Sequence, residues 1–290
     1  MNIQTEKDAL NLYNKGKKTI ENGIFFNGDY LKGGTFFIQA GEIFKKLNIY
    51  DKSNNCYNEA INCFKKLNDK LKINDCYIRK TENYFLLKRN DKAISCLNFV
   101  INNYINEKNY ENAIKIYIKF ANECIKNNNI EAAEYLLLIC LTDCQTYPDN
   151  NIYVNIYGEI CLSKYLNILC LNKKYKEAIN IIKEIINANL KYEKEDFYSI
   201  CQMYIKLAIV KILNNEESEV EDIIKEMSKL KYENVNDDIK DLRSLIDSLN
   251  NLNKIQFDYY IYGVYLLFEE NLLFNLKELF NEKKVKIENK

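Results

Sequence analysis

Tyr110-Glu111-Asn112-Ala113-Ile114-Lys115-Ile116-Tyr117-Ile118-Lys119-Phe120-Ala121-Asn122 is the stretch that decides the fold. Tyr110, Ala113, Ile114, Tyr117, Ile118 and Ala121 recur at steps of three and four, the spacing of one buried stripe on an α-helix, while Glu111, Asn112, Lys115, Lys119 and Asn122 fall between them and stay wet. The stripe opens behind a short polar turn, and the same opening returns along the chain. It is seen in Arg89-Asn90-Asp91-Lys92-Ala93-Ile94, in Asn129-Ile130-Glu131-Ala132-Ala133, in Lys173-Lys174-Tyr175-Lys176-Glu177-Ala178-Ile179, and at Ala60-Ile61. The alanines at 40, 60, 93, 113 and 133 include steps of twenty residues, which is one helix plus its turn. Two steps make a hairpin of about forty residues, longer than the ~34 of a tetratricopeptide repeat and near the range of other helical repeats. Small residues let neighbouring helices approach and aromatic ones fill the gaps between hairpins. Neither helix of a hairpin buries its stripe alone, so the units must stack into a continuous, one-dimensional core.

The expectation is therefore an all-α protein: a right-handed superhelical solenoid of antiparallel helix pairs, tetratricopeptide-like, with about fourteen helices and no sheet. Eight glycines and one proline, Pro148, are too few punctuators for a sheet with many tight turns. Residues 1–250 form the solenoid, and residues 251–290 add a C-terminal helical cap and polar tail, with Tyr259 to Phe280 as its apolar helices. The segment Asp143 to Asn151 holds the proline and marks a helix stop between two arms of one superhelix. Tyrosine outnumbers phenylalanine, 23 to 14, as expected where ring bodies are buried and hydroxyls reach the surface.

Composition excludes several functions. Lys+Arg and Asp+Glu are both 41, so there is no concentrated basic face for a nucleic acid. Histidine is absent, which removes the usual general base near neutral pH and the commonest zinc ligand. The ten cysteines form no CxxC pair and sit among apolar neighbours, as small core residues of a reducing compartment do. Cys140 and Cys144, beside Asp143, are spaced for a metal but read better as two buried thiols. The glycines form no phosphate cradle. The carboxylates from Glu216 to Asp222 read as a solvated helix start rather than a hydrolytic pair. The chain is expected to be no enzyme, with no cofactor and no metal. The first residues lack the order of a secretory signal and no run reaches 18 apolar residues, so a cytoplasmic protein is expected.

Ile38-Gln39-Ala40-Gly41-Glu42-Ile43-Phe44-Lys45, Asp91-Lys92-Ala93-Ile94-Ser95-Cys96-Leu97 and Tyr110-Glu111-Asn112-Ala113-Ile114-Lys115 follow one another in an order that resembles the soluble NSF attachment proteins, the SNAP adaptors of vesicle fusion. The likeness runs from residue 10 to residue 250, and Asn189 to Ser199 with the helix after it looks more like the gamma branch. The resemblance implies an adaptor that binds assembled SNARE complexes and recruits the NSF-type hexameric disassembly ATPase in intracellular protein transport, ER–Golgi transport included. It also implies a cytoplasmic protein associated peripherally with membranes. Lys115 and Lys164 look similar to basic positions on the family's SNARE-binding face. Phe25 and Phe26, in the apolar, glycine-bearing stretch Glu21 to Gly34, look similar to a membrane-contact loop; Gly23, Gly28, Gly33 and Gly34 argue against a helix running through it. The chain ends mixed to basic, Glu282 to Lys290, unlike the acidic end of alpha-type members. The alternative is a general helical-repeat scaffold that holds a peptide or helical partner in an unrelated assembly.

Overall fold

The computed structural model describes residues 5–21, 29–147, 152–191, 197–264 and 270–288. Among them are fourteen α-helices and no strand. The chain divides into two compact units, Met1–Gly158 and Glu159–Lys290. The first holds α1 (Glu6–Glu21), α2 (Tyr30–Lys46), α3 (Tyr50–Lys66), α4 (Lys70–Leu86), α5 (Asn90–Asn106), α6 (Tyr110–Lys126) and α7 (Ile130–Thr146); the division falls inside α8 (Ile152–Leu171). The second holds α9 (Tyr175–Lys191), α10 (Phe197–Leu213), a 3-10 turn Glu217–Glu219, α11 (Val220–Met227), α12 (Val235–Asn250), α13 (Lys254–Val264) and α14 (Glu270–Glu288).

The twenty-residue step is strict in the first unit: α2 to α7 are each 17 residues long and start at 30, 50, 70, 90, 110 and 130. Three residues remain for each turn, and they close each helix in one way. Asn48, Asn68, Lys88, Lys108 and Asn128 have φ between 52° and 59°. At each, the N–H of the left-handed residue and that of the next donate back to the last turn, as Asn48 does to Lys45 O at 2.9 Å and Ile49 to Phe44 O at 2.8 Å. These paired bonds satisfy carbonyls a helix end leaves free. Glycine is the usual occupant, and a residue with a Cβ costs about 1–2 kcal/mol there. Lys173 and Asn215 repeat the closure in the second unit. At the other ends the Asp29, Asp69 and Asn109 side chains accept from the N–H of the residue three further on, capping α2, α4 and α6.

Inside the first unit the alanines do what their spacing promises. Ala40, Ala60, Ala93, Ala113 and Ala133 are wholly buried between helices. Nine of the ten cysteines are buried. Burial pushes the thiols of Cys56, Cys76 and Cys124 up to about 12, which makes them packing groups rather than nucleophiles. The Tyr57 and Tyr117 rings are buried while their hydroxyls donate to Glu42 and Asp143.

Two expectations need correction. Gly33 and Gly34 are not loop residues but lie in the second turn of α2 and are buried. A Cβ at Gly33 would stand 2.7 Å from Ile20 Cγ1, and one at Gly34 2.7 Å from the Phe64 ring, so glycine serves close packing of α1, α2 and α3 rather than a turn. The carboxylates after Asn214 are not a simply solvated run either. Lys211 of α10, its side chain 3% exposed, is held by Glu216 at 2.6 Å and Glu219 at 2.5 Å, so part of the run neutralises a buried cation.

Candidate functional site

Within the first unit, side chains link alternate helices and so define two layers. The even layer, α2, α4 and α6, is bound by a charged ladder. Arg79 of α4 pairs with Glu42 of α2 and with Asp75 of its own helix at 2.9 Å. Glu82 of α4 takes Lys45 of α2 at 2.5 Å and Lys119 of α6 at 2.9 Å. Burial pushes the Glu82 carboxyl up, but hydrogen bonds from the two lysines outweigh it and hold the group below its ordinary value. Burial acts on Glu42 likewise and is outweighed by bonds from Tyr57 and Arg79. The guanidinium of Arg79 loses hydration too, yet its carboxylate bonds raise its pKa.

Lys115, one of the two lysines singled out from the sequence, projects from α6 in this layer. It pairs with Glu111 one turn earlier and lies 5.0 Å from the centre of the Tyr157 ring of α8. The bond to Glu111 raises its pKa, so it carries a full charge at any neutral pH. Lys164 lies half-buried on α8 and within the second unit, so the two lysines belong to different compact units. Phe25 and Phe26 lie outside the described residues.

The odd layer, α1, α3, α5 and α7, is held at helix starts: Lys52 pairs with Glu6, and Arg89 with Asp51 at 2.6 Å. Between α5 and α7 it opens into a groove of about 610 Å³. The α5 side presents Asn90, Asp91, Ile94, Ser95 and Asn98, and the α7 side Glu131, Ala132 and Tyr135. Asn129 Nδ2 donates to Asn90 Oδ1 at 2.9 Å, bridging the two helix starts at one end. Among the described residues neither Asp91 nor Glu131 enters an ion pair, in contrast to Glu42 and Glu82 on the other layer. Sequence reasoning placed Asn90, Asp91 and Glu131 in the short polar openings of two helices and did not single out a groove. The signal that could have marked them is their register, since Asp51, Asp91 and Glu131 recur forty residues apart.

Among the described residues no three His, Cys, Asp or Glu side chains gather as a metal site, and no helix is long and apolar enough to cross a membrane. The sequence profile of the family described as "Soluble NSF attachment protein, SNAP" matches residues 7–263. No curated protein matches the sequence. Among solved structures, BtubC (BKLC) from P. vanneervenii is 13% identical at a TM-score of 0.38, over 82% of this chain and 92% of that one. The apo form of RapI is 11% identical at 0.38, over 98% and 100%. NprR in complex with its cognate peptide NprX is 15% identical at 0.35, over 98% and 82%.

Proposed function

Because the chain belongs to the soluble NSF attachment protein family, we propose that it is a non-catalytic adaptor that binds assembled SNARE complexes and recruits the NSF-type disassembly ATPase. The observation that carries this reading is the family match over residues 7–263, which spans thirteen of the helices in whole or part. Stacked helix pairs within each unit supply side-chain faces for such a partner. Lys115 and Lys164 are the SNARE-contacting cations in this reading, supplying encounter rate and register to an acidic helical bundle. Lys115 is 44% exposed and its bond to Glu111 is an exposed i,i+4 pair, which a partner carboxylate displaces at little cost. Phe25 and Phe26 make the peripheral membrane contact, a weak attachment that counts because the SNARE partner is already tethered. The gamma branch is the finer assignment within the family.

Residues 251–290 close the stack of residues 1–250 as a cap in this reading. Packing within the second unit supports it: Phe257 of α13 stacks on Phe280 of α14 at 4.4 Å, and Asn275 Nδ2 donates to Cys170 O at 2.7 Å.

The test is a pull-down from cytosol and detergent-solubilised membranes, read by mass spectrometry. SNARE proteins and the disassembly ATPase should come down together, and recovery of neither would sink the adaptor reading. Lys115→Glu with Lys164→Glu should weaken SNARE binding at least about fivefold at low salt. Glu111→Gln, which frees Lys115, should strengthen it slightly. An unchanged affinity in both would show that these lysines do not face the partner.

A further inference from the structure

We propose that the groove between α5 and α7 binds an extended polypeptide segment that carries a lysine or arginine side chain. This site goes beyond the adaptor reading, since it lies on the odd layer while Lys115 projects from the even one.

Charge decides the class of ligand. Asp91 and Glu131 enter the groove from its two sides, and among the described residues no basic one lines it. The cations nearest in sequence are engaged elsewhere: Arg89 is held by Asp51 at 2.6 Å and Lys92 lies 5.9 Å from the centre of the Tyr84 ring. Two carboxylates with no cation of their own across a concave site are complemented by a cation from outside. Ile94 and the Tyr135 ring, 47% exposed, supply apolar surface for the methylene stem of such a side chain.

The remaining lining decides that the ligand is an extended chain. Asn98 and Ser95 stand in the groove, and Asn102 continues the exposed face of α5 one turn further. Asn58 and Asn62 stand forty residues earlier on α3, also exposed. A carboxamide offers a donor and an acceptor together, the complement of a peptide group. A helical ligand has already spent its backbone groups on itself, whereas an extended segment presents them. Neighbouring helix axes ~8–10 Å apart correspond to about three residues of extended chain. Asn58 and Asn98 thus repeat at an interval that one strand-like segment can follow.

The experiment uses the full chain and two fluorescein-labelled peptides of about ten residues. They share a Gly, Ser and Leu sequence and differ only in central lysines or central glutamates. Fluorescence anisotropy at low salt should show the lysine peptide binding at least about tenfold tighter, a difference of about 1.4 kcal/mol. Asp91→Asn with Glu131→Gln should abolish that preference, and Asp91→Lys with Glu131→Lys should reverse it, each variant remaining helical by circular dichroism. Asn98→Ala should weaken both peptides several-fold, because it removes a backbone contact rather than a charge. Equal binding of the two peptides by the native chain would overturn the proposal, as would a preference that survives neutralisation in a helical variant. Free spermidine competing as well as the lysine peptide would also overturn it, showing a site for small cations instead of a polypeptide.

Discussion

The even and odd layers of the first unit are made of helices of sixteen or seventeen residues, yet they use their charges differently. On the even layer Glu42, Arg79, Lys45, Glu82 and Lys119 are spent on one another, tying α2, α4 and α6 together. On the odd layer Asp91 and Glu131 are left facing a groove. A face whose charges are mutually satisfied offers a partner only the residues at its margins, such as Lys115, whereas the odd face, paired at its helix starts, keeps Asp91 and Glu131 for a ligand. Rigidity and recognition are thus divided between two sides of one stack.

The seam between the layers should be the most sensitive place to break this arrangement. A Cβ on Gly41 of α2 would stand 2.6 Å from Tyr57 Cε1 of α3, and Tyr57 is fully buried. The Gly41 carbonyl also accepts the Ser53 hydroxyl at 2.8 Å. Gly41→Ala must therefore push α2 from α3 and should cost about 3 kcal/mol in urea unfolding, the upper part of the overpacking range. A loss below about 0.5 kcal/mol would mean that the layers slide freely over each other.

Next in size is the ladder. Glu82→Gln leaves Lys45 and Lys119 without their shared acceptor and should cost about 2 kcal/mol at pH 7. The pH dependence follows from the lowered pKa of Glu82, whose usual value is near 4.5. A depressed folded-state pKa stabilises the fold above the unfolded value, and that contribution is lost as pH falls through the folded one. The gap between wild type and Glu82→Gln should accordingly be full at pH 7, begin to close below about 4.5, and vanish in stronger acid. A gap that widens on acidification would reverse the assignment.

Much of this was legible in the chain itself. The three-and-four spacing from Tyr110 to Ala121 marks a helix because burying a stripe is the dominant local energy, and the twenty-residue step of the alanines marks the repeat. The turns were legible as short polar breaks but their closure was not, because Asn48, Lys88 and Lys108 adopt a left-handed conformation that is usually signalled by glycine. Gly33 and Gly34 misled for the converse reason: their backbone is helical, and their purpose, contact with Ile20 and Phe64, depends on residues far along the chain. Lys115 could be placed on a wet face, but its pairing with Glu111 and its position near Tyr157 could not. The groove is a property of two helices forty residues apart, so no single stretch announces it.

The turns that carry the chain from one layer to the next offer a smaller effect of opposite sign. Lys108, between α5 and α6, has φ 56°. Lys108→Gly removes the Cβ clash with the carbonyl and should stabilise the protein by about 1 kcal/mol, net of the extra freedom glycine gives the unfolded chain. Destabilisation of that size would show that the lysine side chain itself holds the turn.

The smallest expected effect sharpens the contrast most. Asp91 and Glu131 sit in the first turns of α5 and α7, where a negative charge meets the positive end of the helix dipole. With no ion-pair partner among the described residues, that dipole is the chief stabilisation the fold draws from them. Asp91→Asn and Glu131→Gln should therefore each cost about 0.5 kcal/mol at low salt, and most of this should disappear near 1 M salt, where screening acts within ~3 Å. Glu82→Gln, acting through bonds half-hidden from solvent, should keep most of its cost under the same salt. If the two groove carboxylates instead proved as costly as Glu82, and as indifferent to salt, they would be structural partners like the ladder, and the odd face would lose its claim to be the open one.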